Sequence, residues 1–383
     1  MPKEPAYALV YYVAVVPCAL ATLATGWRPT LDAGWGLALG LIVWSGLTLL
    51  WGDNDGGRRL HFLRDTACTL GFVLVLMAVL GDAVTRRRAA LVLVIGGAAD
   101  AVLAITLGYT LHDNLHILGA TIYADYGRLH GWGVTMHPIL GADAMALPYL
   151  TALYLGLAET KGLRRVPFLA AACVMAVFIV MTQSRGPLLA AGTATLFLCG
   201  FGPWRYGAFA GLAAIGGGWW LSIPRAVQQS QAVAIIARGT SHRIEIWQDT
   251  LTRIQERPLF GHGLAANLHL TLSGDDPMTI TFPHSMYLGL LFYSGAVGFL
   301  IFVALALAVT WRLWRNRAAP QFPFLAALWL SSLLAALTDV GQVTKGPAPI
   351  WFIIWLPVGL VFTMGGGWLL KPGAPQAALP DPH

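Results

Sequence analysis

Charge is the first thing this chain lacks. Asp, Glu, Lys and Arg make up 11% of its 383 residues, against about 25% in a soluble globular domain. That excludes a water-facing surface over most of the chain, and 57% hydrophobic residues show what replaces it. Paired cysteines are missing too. Cys18, Cys68, Cys173 and Cys199 each stand alone inside an apolar run, which excludes a disulfide framework and a thiolate metal site and leaves small buried hydrophobes. No phosphate-cradling glycine loop, nucleophile elbow or HExxH pattern is present, so nothing points to ATP, an esterase or a zinc hydrolase. The first apolar run lacks both a basic lead-in and an A-x-A ending, and residues 7–25 read as a retained span. The net charge of +6 is no nucleic-acid footprint, because its Arg and Lys sit in short clusters between apolar runs, the pattern of membrane-protein loops.

What the chain does hold is apolar length. About 20 apolar residues cross the roughly 30 Å hydrocarbon layer as a helix. Runs of that kind centre on 7–25, 35–51, 66–82, 89–108, 140–158, 166–182, 187–201, 206–223, 285–310, 322–340 and 349–369. The expected architecture is all-α and polytopic, with 11 to 12 spans. It divides into N-terminal transmembrane helices with short loops (1–223), one larger loop (224–284), C-terminal transmembrane helices (285–370) and a Pro- and Ala-rich tail (371–383) expected to be disordered. The Arg/Lys bias places Arg86 to Arg88, Lys161 to Arg165, Arg205, the 311–317 stretch and Lys371 on the cytoplasmic side. The large loop, the segment 109–139 and the Ser184-Arg185-Gly186 turn then face outward, and so do Arg58, Arg59 and Arg64. Within the loop, 241–257 predicts an amphipathic helix: Ile244, Trp247, Leu251 and Ile254 recur at helical spacing, Thr240 or Ser241 is placed to cap it, and Pro258 ends it.

Against this background a few polar residues stand out. Arg185 interrupts a long apolar stretch. A hairpin-tip arginine that snorkels to the interface is one reading; a fixed cation facing an outer cavity, able to grip a phosphate in two places, is the other. Arg243 falls in the first turn of the amphipathic helix, where a cation opposes the helix dipole unless an anion visits. Its bland reading is a solvated loop arginine, and Arg238 is a weaker neighbour of the same kind. His284 follows Pro283 and opens a span, and a histidine at a helix N-terminus favours the neutral imidazole that accepts a proton. Asp53-Asn54-Asp55 carries the acidic spacing of a divalent-cation site, but so short a match reads as a solvated turn, and Asp275-Asp276 reads the same way. No His pair has strong metal-ligand spacing.

Taken together, Ser184-Arg185-Gly186, then Arg243 with Trp247, then Pro258-Leu259-Phe260-Gly261-His262-Gly263-Leu264, then Pro283-His284-Ser285 leading to Leu288, Gly295, Gly298 and Phe299, resemble the O-antigen ligase and O-antigen polymerase (Wzy-C) superfamily. Gly127-Arg128, Gly131, His137 and Pro138 resemble that family's earlier outer Arg-Gly segment. Two departures are visible: Ser285 stands where the family often has Asn, and eleven spans are read where twelve are common. The resemblance, most like an O-antigen ligase, implies a GT-C-like helical fold in the bacterial inner membrane, with the active site facing the periplasm. It implies glycan transfer from undecaprenyl diphosphate to lipid A–core, with no cofactor and no metal. Under it, Arg185 and Arg243 stabilise the leaving diphosphate, His284 takes the acceptor's proton, and Arg128, Arg58, Arg59, Arg64 and Arg238 hold the second phosphate. A polymerase and a protein O-oligosaccharyltransferase share the donor and the arginines. A lipid or glycan transporter is the alternative from another class, and would call for inverted repeats that are not apparent here.

Overall fold

The computed structural model describes residues 31–110, 115–117, 120–122, 128–131, 137–160, 162–200, 242–272, 278–338 and 340–364, with isolated positions at 16, 17, 21 and 135. The expected spans at 7–25 and 206–223, the tail after Lys371, Arg205, Arg238 and the Asp275-Asp276 pair lie outside the described residues. The remaining nine expected spans each coincide with an observed helix.

In chain order these are α1 (Ala33–Leu47), α2 (Arg59–Val79), α3 (Ala83–Thr110), α4 (Pro138–Ala158), α5 (Gly162–Met181), α6 (Arg185–Gly200), α7 (Arg243–Glu256), α8 (Met286–Arg315), α9 (Phe322–Thr338), and a π-helical turn Trp351–Trp355 running into α10 (Leu356–Phe362). Among the described residues six helices are long and apolar enough to cross a membrane. The only strands described are two short antiparallel hairpins, β1 (Leu115–Ile117) with β2 (Ala120–Ile122) and β3 (Leu270–Leu272) with β4 (Met278–Ile280). The chain is an all-α, multi-pass membrane protein, as its composition requires.

Local chemistry sets the helix starts. Asp32 accepts from the Trp35 N–H at 2.9 Å and caps α1. His137 Nδ1 accepts from the N–H groups of Ile139 and Leu140, and Pro138 occupies the first turn of α4, where its missing N–H costs nothing. Asp82 caps α3: the hydroxyl and N–H of Thr85 donate to it at 2.6 and 2.7 Å, holding that carboxyl below its usual range.

α4 is the hub. Its most apolar stretch is 83% buried, against 22% for α3 and 28% for α5, so it is enclosed by protein where they face lipid. It packs against α3, α5, α6 and α9, while α1 packs against α2 and α8. The shared core holds Trp355, Phe178, Phe302 and Phe324, with Phe72 stacked on Trp351 at 4.4 Å and Tyr154 on Phe324 at 4.9 Å. Hydroxyls inside the spans return to carbonyls one turn back, as Ser45 does to Leu41, Thr151 to Leu147, Thr195 to Ala191 and Ser332 to Leu328. In a medium without water this satisfies them internally.

The bundle has two distinct ends. At one, Arg312 pairs with Asp32 at 2.7 Å, and Arg86 donates to Leu80 O at 2.6 Å and toward Thr363 O. The Arg164-Arg165 turn after α4 belongs to this end by connectivity. At the other end lie the starts of α2, α4, α6 and α8, the end of α9, and the loop residues around 48–58 and 258–284. This sorts the basic clusters as the loop-charge argument expects, and it puts Arg58, Arg59 and Arg64 with the large loop.

Candidate active site

The second end is assembled by three structures. The first is the turn between α5 and α6. Leu129 N–H donates to Met181 O at 3.0 Å, Arg128 Nε donates to Thr182 O at 3.0 Å, and a terminal nitrogen of Arg128 reaches Ser184 Oγ at 2.9 Å. Ser184 Oγ in turn donates to Pro138 O at 3.0 Å. Arg128 therefore clamps the turn that delivers Arg185. Arg185 is the first residue of α6 rather than a loop residue, and it is exposed. A guanidinium there stands beside the free N–H groups of a helix start, which favours an anion.

The second is the bridge between Arg185 and His284. A Cβ on Gly186 would collide with Thr338 Oγ1 at the end of α9, and one on Gly289 would collide with Gly341 O. A Cβ on Gly341 would lie 3.0 Å from the Phe282 ring, whose centroid is 3.9 Å from that of His284. Thr338 and Gly341 thus pack against the start of α6 and the start of α8. They join the elements that carry Arg185 and His284, which are about a hundred residues apart in the chain. His284 is not the first residue of its helix: it sits at φ +51°, and Ser285 occupies the N-cap position before Met286. Its ring is half-buried.

The third is a knot around the turn 258–263. α8 is broken at Gly295 (φ +65°). The groups freed by the break are taken up by the turn: Ala296 N–H donates to Pro258 O at 2.8 Å, His262 N–H to Phe292 O at 2.8 Å and Gly263 N–H to Tyr293 O at 3.0 Å. A Cβ on Gly261 would lie 2.6 Å from Gly295 N, and one on Gly295 would collide with Leu259 O, so both glycines are required by positive φ and by backbone approach. The His262 ring stacks on Phe292 at 4.8 Å, bonds Arg253 O through Nε2 at 2.8 Å, and stands 3.4 Å from Asp53 through Nδ1.

α7 rests on this knot. It begins at Arg243, two residues later than predicted, after His242 in the left-handed region; Thr240 and Ser241 lie outside the described residues. Its inward face, with Ile246, Trp247 and Ile254, packs on Ala266, Leu268, Ile280, Phe292 and Tyr293. Arg243 is half-buried at the far end of the helix from His262. Among the described residues no hydrogen bond or ion pair joins Arg243 to Arg185 or His284.

The remaining arginines have structural partners. Arg58 donates to Asn267 Oδ1 and lies 4.8 Å over the Phe62 ring; Arg59 donates to Gly52 O at 2.8 Å; Arg64 pairs with Asp65 at 2.9 Å. Arg59 and Arg64 are exposed at this end, whereas Arg58 stitches the first outer loop to the large one. The Asp53-Asn54-Asp55 turn, which reads as solvated in the sequence, takes part in the same seam: Asp53 pairs with Arg257 at 3.1 Å and Asp55 with His269. His262, Asp53, Thr338 and Gly341 carry no distinctive spacing, and only His262 lay inside a motif block.

A bundle of apolar helices with its described basic clusters at the helix ends defines a class: a polytopic membrane protein. Within that class the O-antigen ligase family model (Wzy_C) matches residues 170–303, a span holding Arg185, Arg243, His262 and His284. The chain is also 31% identical over 242 residues, 62% of its length, to a protein named O-antigen ligase from Pseudomonas aeruginosa. That alignment spans 57% of the relative. The resemblance carried by the Arg185, Arg243, 258–264 and His284 blocks is thereby confirmed.

Proposed function

We propose that the chain is a glycosyltransferase of the O-antigen ligase type, working at the periplasmic face of the inner membrane. It moves an O-antigen glycan from undecaprenyl diphosphate to the lipid A–core of lipopolysaccharide, without a metal. What supports the reading most is the packing of Thr338 on Gly186 and of Gly341 on Gly289 and Phe282, which links the helix start bearing Arg185 to the one that follows His284, both helix starts lying in the family's matched stretch. The printed name of the Pseudomonas relative favours the ligase over the polymerase among enzymes that share this donor.

In this reading the acceptor hydroxyl attacks the donor sugar's C1. The bond from C1 to the diphosphate oxygen breaks, and a new C1–O bond forms to the acceptor. Charge building on the leaving oxygen is met by Arg185 and the N–H groups at the start of α6, with Arg243 approaching from α7. His284 takes the hydroxyl's proton, a step typically worth about 10²–10⁴-fold. Arg128 holds the turn in place, Arg59 and Arg64 meet the distal phosphate, and the polyprenyl chain lies in the bilayer.

The test is a reconstituted transfer assay: purified protein, a defined undecaprenyl-diphosphate glycan, lipid A–core and EDTA. Glycan on lipid A–core, lost in Arg185→Ala and His284→Ala, is the expected result. A well-folded wild type that transfers nothing to this acceptor overturns it, and lipid-linked glycan or a protein hydroxyl is then the acceptor to offer.

A further inference from the structure

The last crossing of the chain is not made by helix alone. The π turn and α10, Trp351–Phe362, hold 12 residues, about 18 Å at 1.5 Å per residue, against a hydrocarbon layer of about 30 Å. Residues 340–350 run ahead of them without helix, save for the last residue before the π turn, and pack inward. Thr69 Oγ1 donates to Thr344 O and Trp351 Nε1 donates to Thr69 Oγ1, both at 3.2 Å, and Trp355 Nε1 donates to Val343 O at 2.8 Å. Thr69 lies ten residues beyond Arg59 along α2, about 15 Å from the helix start. The segment therefore runs into the layer as irregular backbone before helix completes the crossing. Irregular backbone at such depth persists only where protein buries it or a wet cavity reaches it.

Val343 and Thr344 are buried, at 3% and 1% exposure, yet the next residue, Lys345, is exposed. Among the described residues nothing hydrogen-bonds or pairs with its ammonium. An intramembrane cation kept in the open is costly and marks a ligand path. Its surroundings point the same way. Thr69 also donates to Asp65 O at 2.9 Å, one turn nearer the surface. There Arg64 pairs with the Asp65 carboxylate at 2.9 Å, and His61 stands 3.5 Å from it. That carboxylate is already engaged, so Lys345 adds a cation that the protein leaves uncompensated. The same segment begins at Gly341, which packs on Phe282 beside His284, so Lys345 is four residues from the bridge of the candidate site.

We propose that Lys345 is a phosphate-binding residue for the headgroup of a polyprenyl diphosphate whose tail enters sideways from the bilayer. A lysine's point charge on a rotatable stem suits one phosphate of such a headgroup. The proposal deepens the function above and rests on it.

The test measures binding of undecaprenyl diphosphate and, separately, phosphatidylglycerol to the purified full chain by native mass spectrometry, for wild type, Lys345→Met, Lys345→Arg and Arg185→Ala. The expected result is undecaprenyl diphosphate binding weakened about tenfold or more in Lys345→Met, kept within about threefold in Lys345→Arg, with phosphatidylglycerol unchanged. Equal weakening of both lipids overturns the diphosphate assignment in favour of a general anionic-lipid site. Unchanged binding in Lys345→Met beside a loss in Arg185→Ala overturns this subsite and leaves the proposed function standing. A wild type that does not bind undecaprenyl diphosphate overturns both. Because Lys345 is exposed and unpaired, matched thermal unfolding of Lys345→Met and wild type identifies a folding defect, and the Lys345→Arg arm decides the assignment if one appears.

Discussion

The two ends of the bundle set their arginines in different company. At the end holding Asp32, Arg312 is bonded to a carboxylate and Arg86 and Arg165 to backbone carbonyls, while Arg88, Arg164 and Arg315 are exposed. At the other end Arg58 is bonded to Asn267 and Arg128 to Ser184, Arg59 and Arg64 are exposed although bonded to Gly52 and Asp65, and Arg185 and Lys345 are exposed too. Orientation in a membrane needs only charge on the correct side, so a topological arginine is free to be fully bonded. A working cation has to stay open for its ligand. Exposed cations occur at both ends, so the contrast lies in what surrounds them: among the described residues, the second end sets them with His284 and the large loop.

The comparison is broken or sharpened by substitution at each end. Arg185→Ala is expected to lower transfer by about 10²–10³-fold, the usual loss when one preorganised partner of a developing charge is removed; steady-state kinetics of the reconstituted enzyme checks it. A well-inserted variant with turnover within threefold of wild type would erase the distinction between the ends. Gly295→Ala is the next largest. It places a side chain at φ +65° against Leu259 O, and strain plus overpacking is expected to cost about 3 kcal/mol, read as a lower unfolding midpoint in detergent.

Next comes His262→Ala, which removes a carbonyl partner and a ring stack from a buried position, at about 1–3 kcal/mol. That substitution is also expected to depress transfer, because α7 and its Arg243 rest on the same knot; chemical denaturation beside kinetics separates the two effects. Arg312→Ala closes the series. Its pair with Asp32 is about one-third exposed on each side or more, so the loss is expected to stay under about 1 kcal/mol, with turnover unchanged.

Much of the fold was legible because lipid solvent leaves a coarse signature. Nine runs of apolar residues coincide with helices, though the helix at 66–82 starts earlier, at Arg59, and the last run holds helix only over Trp351–Phe362; the loop helix appeared one turn or less from where Ile244, Trp247, Leu251 and Ile254 placed it. Arg185 and His284 were legible because each interrupts or borders such a run. What was hidden depends on tertiary approach. Nothing in the spacing of Thr338, Gly341 and Phe282 announces that they lie between Gly186 and His284, since each contact is made by backbone or a small side chain. The bond from Arg58 to Asn267 was hidden in the same way, its partner being 209 residues away. Lys345 escaped notice for a related reason: in hydropathy its segment is a short polar gap between two spans, and only the bonds to Thr69 reveal its depth.

The break at Gly295 divides α8 into two rods. The portion after it, residues 296–315, holds twenty residues, about 30 Å of helix, enough by itself to match the hydrocarbon layer. The portion before it, 286–294, is spared that duty and is fastened to the turn 258–263 instead. A bilayer that thins, thickens or tilts its helices acts on the lower rod, and the locked knuckle at Gly295 leaves the aim of His284 to the loop. The histidine is thus referenced to the protein's outer knot and insulated from the thickness of the membrane it stands on.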